Sequence, residues 1–222
     1  MQVNNEKDII KFLSQERLTT YYYNGRYSDL MALRRYRYNL DLSSSVYEAI
    51  SILEVVLRNS IVLAWQNHYG DPNWPWSKLN IPTVKKYQFT LNDIDKAVSK
   101  IVKRKARGSV INGDVVSELT FGFWLYCFDA KFDYVNKSII TDIFPHDSER
   151  TKNLIEDVRR IKSDLIPIWK LRNRVSHHEP IFHLRDLKSR FDNIRKLISY
   201  IEPSCLQLHD PNGFNSTLSK GW

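Results

Sequence analysis

Between residues 171 and 181 the chain reads Leu171-Arg-Asn-Arg-Val-Ser-His-His-Glu-Pro-Ile181, and these side-chain types suit work on a phosphodiester. Arg172 and Arg174 carry planar, permanently charged forks that match phosphate oxygens. His177 and His178 exchange protons near neutral pH. Pro180 disfavours helical geometry at Glu179, so a helix arriving through Arg172 should stop there, with both histidines on its last turn. At that end the helix dipole favours protonated imidazole. The plainer account is a surface helix capped by two arginines and two histidines, and composition alone does not separate the two. A metal site from His177, His178, Glu179 and His183 has no recognised ligand spacing behind it, so no metal or other cofactor is expected. No Gly-rich phosphate loop and no Gly-x-Ser-x-Gly motif is present.

Hydrophobic spacing predicts the helices that must carry these groups. The clearest spans 43–69, where Val46, Ile50, Leu53, Leu57, Ile61 and Ala64 share one face. Ser45 with Glu48 fits a capping box, and Gly70 is a natural stop. Glu54 and Arg58 lie one turn apart, in the favourable order for an ion pair. Asp71-Pro-Asn-Trp-Pro-Trp76 predicts a rigid loop in which Trp74 or Trp76 fills a gap. Short helices are expected over 5–14 and 27–41, around a Tyr21-Tyr-Tyr23 connection. A basic helix over 91–107 carries Lys96, Lys100, Lys103, Arg104, Lys105 and Arg107, with Gly108 and Gly113 bracketing the next loop. An aromatic-rich helix over 114–130 is interrupted at Gly122, where a close helix crossing is expected, and 131–143 continue it. A long pattern over 148–176 is bent or divided by Pro167. The last amphipathic helix covers 186–201, and the Gly/Asn/Ser-rich tail beyond His209 is expected to fray.

Seven glycines in 222 residues are too few for a chain of tight hairpins and favour helices. With 42% hydrophobic residues the chain can bury a core as one all-α bundle domain over 1–222. A formal charge of +8 attracts polyanions, nucleic acid first and an anionic membrane surface second. The apolar stretch at 50–65 is broken by Glu54, Arg58 and Asn59, so no membrane span is expected. The N-terminus has no apolar signal region, and Cys127 and Cys205 lack a CxxC partner. Both features predict a cytoplasmic, reducing location.

Six blocks in order then resemble one family. They are Glu16-Arg-Leu-Thr-Thr-Tyr21, Leu53-Glu-Val-Val-Leu-Arg-Asn59, His68-Tyr-Gly70, Glu118-Leu-Thr-Phe-Gly-Phe-Trp124, Phe144-Pro145 and Leu171 to Ile181. Together, over about 14–203, they resemble the Abi-like (abortive infection, AbiD/AbiF-type) proteins of the HEPN superfamily, with 204–222 left as a tail. Arg172, Asn173 and His177 fit that superfamily's Arg-polar-x-His signature with four residues between Arg and His. Arg172 with His178 fits it with five.

The resemblance implies a HEPN-type helical bundle with additional family-specific helices, and metal-independent RNA cleavage as an antiphage or toxin effector. His177 would act as general base on the 2′-OH or general acid on the leaving 5′-oxygen, worth ~10²–10⁴-fold. Arg172 would hold the scissile phosphate, worth roughly 3–4 kcal/mol for a preorganised donor. Asn173 would orient one of these groups, and His178 would support them. In the family a glutamate with a basic residue four positions on faces the motif, which makes Glu54, Arg58 and the adjoining Asn59 supporting residues. The bland alternative for Glu54–Arg58 is a surface ion pair worth ~0.3–0.5 kcal/mol. Arg174, Lys103, Arg104 and Lys105 are the expected RNA contacts, although the lysine-rich run also fits a solvated helix face. On a regular helix Arg172 and His177 stand about 140° apart. They converge only if the helix end unwinds or two chains each lend half a site; the family's facing-motif dimers favour the second. RNA, a homodimer partner, and an RNA or protein antitoxin or repressor are the expected partners. The rival expectation is a catalytically silent RNA-binding module of the same fold.

Overall fold

The computed structural model describes residues 5–78, 81–82, 85–105 and 109–222. Arg107 and Gly108 lie outside these residues. Every regular element among them is helical. Two short helices, α1 (Glu6–Leu13) and α2 (Gln15–Tyr22), lead into α3 (Asp29–Tyr69), a rod of 41 residues. There follow α4 (Gln88–Arg104), α5 (Asn112–Glu118), α6 (Phe121–Tyr126), α7 (Asp133–Ile143), α8 (Leu154–Ser176), α9 (Leu187–Ile201) and α10 (Pro211–Lys220).

α3 is the spine, and it corrects the two-helix division at Ser43-Ser-Ser45. The Ser45 hydroxyl donates to the Asp41 carbonyl at 3.2 Å. A serine that bonds one turn back can remain inside a helix instead of capping a new one. Leu42, Val46 and Ala49 around it are fully buried, so packing outweighs the weak propensity of three serines. The expected stripe Val46, Ile50, Leu53, Leu57, Ile61 and Ala64 is buried throughout. Tyr21 and Tyr22, expected in a connection, belong to α2. The rod packs on α2, α9, α10, α7, α6 and α8. Trp74 fills the expected gap, stacked on Trp65 at a 4.6 Å centroid distance.

The aromatic helix breaks at Leu119-Thr120, not at Gly122. Thr120 is extended (φ −80°, ψ 163°) and starts α6, which places Gly122 within that helix. A Cβ on Gly122 would meet Trp169 Nε1 of α8 at 3.5 Å. The crossing is close, yet it leaves room for a methyl.

α8 begins at Leu154, six residues later than the hydrophobic pattern suggests. The preceding loop is pinned because the Asp157 carboxylate accepts the Thr151 N–H at 3.1 and 3.0 Å. Pro167 lies inside α8 without dividing it. Beside it α9 supplies donors to the helix carbonyls, Arg190 to Pro167 at 3.3 Å and Asn193 to Asp164 at 3.2 Å.

The tail is packed, not frayed, over α10. Asp210 caps the Asn212 N–H at 2.9 Å with Pro211 in the first turn. Phe214 is fully buried and stacks on Phe191 at 3.9 Å. An Asp-Pro start with Phe214 and Leu218 four apart is a helix signal that a Gly/Asn/Ser-rich composition concealed. Cys127 and Cys205 are free, and burial pushes the Cys127 thiol up. No described helix is long and apolar enough to cross a membrane.

Candidate functional site

The 171–181 segment forms the end of α8 and the turn after it. His177 donates its N–H to the Asn173 carbonyl at 3.0 Å, His178 to Val175 at 3.0 Å and Glu179 to Arg174 at 2.8 Å. The last two bonds make a Schellman cap, whose left-handed position is ordinarily glycine. Here His178 occupies it at φ 55°, a conformation costing a residue with a Cβ roughly 1–2 kcal/mol. The helix thus stops before Pro180, as the sequence predicts. Ser176, His177, His178 and Glu179 are exposed. His178, with Val175 and Ser176, lines a groove of about 480 Å³ against Leu40, Ser43 and Tyr47 of α3.

Arg172 is half-buried, and its Nε donates to Glu54 Oε2 of α3 at 3.4 Å. That bond is long and single. Arg172 makes no other among the described residues, so its terminal nitrogens stay open to an oxyanion. The Glu54–Arg58 ion pair does not form among the described residues: Glu54 turns to α8. An exposed intrahelical pair is worth a few tenths of a kcal/mol, whereas a contact in a partly desolvated crevice is screened less. Arg58 Nε is left buried without a hydrogen-bond partner. Asn59 is exposed, and no hydrogen bond among the described residues joins it to the motif. Asn173 is half-buried and contributes its carbonyl to His177. Arg174 Nε lies 3.3 Å from Glu179 Oε2, as an ion pair whose angle makes no hydrogen bond.

Helical bonding carries through Ser176, and the His177 N–H still bonds one turn back to Asn173. The His177 Cα therefore lies on the helical track, although its own backbone (φ −93°, ψ 10°) has left helical values. Arg172 and His177 therefore remain about 140° apart around the axis. The chain reverses only at His178, too late to swing His177 toward Arg172. Within one chain the two groups face different sides of α8.

Two residues that the sequence did not single out hold this end in place. Arg17 of α2 donates to the His178 carbonyl at 2.6 Å and the His177 carbonyl at 3.4 Å, meeting the negative end of the α8 dipole. Buried Asn39 of α3 accepts the Ile181 and Phe182 N–H groups at 2.6 and 3.2 Å. Asn39 had a signal, since it falls on the buried stripe of α3 where a polar side chain requires a partner. Arg17 had only its place in the first family block. Burial, then Arg174 and Arg35, lowers the pKa of nearby His183 and so favours its neutral form.

No family model, curated protein or solved structure matches this chain. Among the described residues no group of three or more His, Cys, Asp or Glu side chains is arranged to hold a metal ion.

The other candidate cations lie on α4 and, for Lys105, at its C-cap, and most are already engaged. Lys100 pairs with Glu118 at 3.3 Å, Arg104 also closes on Glu118, and Lys105 pairs with Asp114 at 2.7 Å. Lys96 pairs with Asp93 at 3.4 Å. Lys103 is exposed and makes no ion pair among the described residues. The hydrogen bond from Lys105 is the main cause holding the Asp114 carboxyl below its usual range. Burial opposes ionisation of Glu118, but Arg104 and Lys100 outweigh it and lower its pKa. No hydrogen bond or ion pair among the described residues links this run to Arg172.

Proposed function

We propose that the chain is a metal-independent endoribonuclease that cuts with Arg172 and His177, acting as an abortive-infection or toxin effector. The observation that carries this reading is Arg172 itself, held at Nε by Glu54 with its terminal nitrogens open, on the helix whose exposed end presents His177. RNA brings its own nucleophile. His177 takes the 2′-OH proton, the 2′-oxygen attacks phosphorus, and the 5′-oxygen leaves with a proton from an imidazolium. A 2′,3′-cyclic phosphate and a 5′-OH result. Arg172 balances the charge that grows on the phosphoryl oxygens.

Because Arg172 and His177 diverge on one helix, the active unit in this proposal is a homodimer in which one copy lends Arg172 and the other His177. Exposed Leu40 and Tyr47 beside His178 offer apolar surface for such a contact. A repressing RNA or protein partner in the cytoplasm fits the same role. The divergence also supports a second reading, a silent RNA-binding module. Incubating purified protein with total RNA in EDTA, beside Arg172→Ala and His177→Ala controls, decides between them. Cleavage leaving cyclic phosphate ends, lost in both variants, is the expected result. Dependence on added Mg²⁺ or 3′-OH ends would overturn the mechanism, and salt-sensitive binding without cutting would leave the silent module.

A further inference from the structure

Arg35 of α3 is a buried cation without a carboxylate partner among the described residues. It is 6% exposed, and its Nη1 donates to the Tyr21 carbonyl at 2.9 Å. Nε is buried with no acceptor, and Nη2 meets none among the described residues. Four rings surround the guanidinium. The centroids of Tyr27 and Phe182 lie 4.7 Å from its carbon, Trp222 at 4.9 Å and Tyr23 at 5.7 Å. Cation–π contacts of this kind contribute about 0.5–2 kcal/mol, but they give an N–H no acceptor, and a buried N–H without one costs about 1–3 kcal/mol. The unused Nε/Nη2 edge is the side of arginine that pairs with two acceptors at once, as with O6 and N7 of guanine.

The outer wall is the part that can leave. Trp222 is 47% exposed, follows Gly221 at the end of α10, and touches Tyr27 edge-on at 5.2 Å. Its indole is a fused five- and six-membered ring system, the shape of a purine. We propose that this enclosure is a guanine site, in which the base displaces the Trp222 indole, enters the vacated space edge-first beside Tyr27 and accepts at O6 and N7 from Nε and Nη2 of Arg35. Adenine fits it less well, because its 6-amino group would oppose a donor. The site adjoins the motif through Phe182, which forms one wall and is held by Asn39, and through His183, which feels both Arg35 and Arg174. Its use in choosing a cut site beside guanosine rests on the ribonuclease reading; guanine binding does not.

The test uses the full chain with ¹⁹F-labelled tryptophan, the Trp222 resonance being the one absent from Trp222→Ala. GMP, AMP and short RNAs containing a single G or only A are titrated in. The Trp222 resonance should move with GMP or the G-containing RNA and stay still with AMP. Movement with RNA alone would place the guanine in a polynucleotide, and movement with both would include the free nucleotide. Removing the competing indole should tighten GMP binding in Trp222→Ala by roughly tenfold, and Arg35→Lys, which keeps the charge and loses the fork, should abolish it. A Trp222 resonance that ignores every ligand, with no gain in affinity in Trp222→Ala, would overturn the proposal and leave the rings as a packing clamp. RNA cutting without guanine binding sinks this inference alone, and guanine binding without cutting sinks the nuclease alone.

Discussion

At the C-terminal end of α4, Lys100 and Arg104 share Glu118 while Lys105 holds Asp114. At the C-terminal end of α8, Arg172 has one long contact and the histidines stand exposed. In the sequence both are basic helix ends of similar length. The structure separates them by wiring: the α4 cations clasp α5, and the α8 cations are held by their inner atoms with their outer atoms free. A cation already neutralised by a neighbour has little left for a phosphate, so charge density alone is a poor guide to a polyanion site.

The largest break in this symmetry should come from single truncations. Arg172→Ala and His177→Ala should each lower RNA cleavage by ~10²-fold or more while circular dichroism stays helical. Neutralising Lys103, Arg104 and Lys105 together should leave the single-turnover rate at saturating RNA unchanged. If the α4 triple variant loses cutting and the α8 variants retain it, the two ends have exchanged roles. Mixed Arg172→Ala and His177→Ala chains should recover part of the activity, since one facing half-site is then intact. No recovery in verified heterodimers would count against a shared site.

Glu54→Gln comes next. It keeps the shape of the side chain and removes its charge-assisted bond, so cleavage should fall roughly tenfold, about 1.4 kcal/mol. An unchanged rate would make the Glu54–Arg172 contact incidental.

Salt dependence sharpens the contrast further. Each phosphate contacted on a single strand contributes about 0.7 to the log–log slope. With Arg104 and Lys105 engaged, the α4 triple variant should lose about one such contact, that of Lys103, and not three. A loss near three would restore α4 as an RNA track.

Acid should loosen the two regions in sequence. His183 has a lowered folded pKa, so its contribution is present above the ordinary histidine value, about 6.5, and is lost as pH falls through the folded value. Asp114 and Glu118 also have lowered folded values. Their contribution is whole above about pH 4.5 and goes only below it. Hydrogen exchange should therefore rise first at residues 181–185 and later at 100–105 and 112–118. The reverse order would contradict this pairing scheme.

The smallest effect concerns one dihedral. His178→Gly relieves a left-handed residue and should raise stability by about 0.5–1 kcal/mol, read as a higher Tm, with cutting retained. Loss of cutting would move the catalytic role from His177 to His178.

Much of this protein could be read from the chain. The all-helical class, the buried stripe of α3, the stop of α8 before Pro180 and the gap-filling Trp74 follow from periodicity and local backbone chemistry, which act over a few residues. The Arg–His segment stood out for the same reason, as residue types in one short run. Contacts between distant segments were not readable. Continuity of α3 through three serines, the docking of α10 by Phe214, the pairing of the α4 cations, and the support from Arg17 and Asn39 all depend on which helix lies beside which. The contact of Glu54 with the motif was expected only from the family resemblance. Local propensities differ by tenths of a kcal/mol per residue, while burial of a single large side chain is worth about 1.5–3 kcal/mol. Where the two conflict, the partner across the core decides, and that partner is remote in sequence.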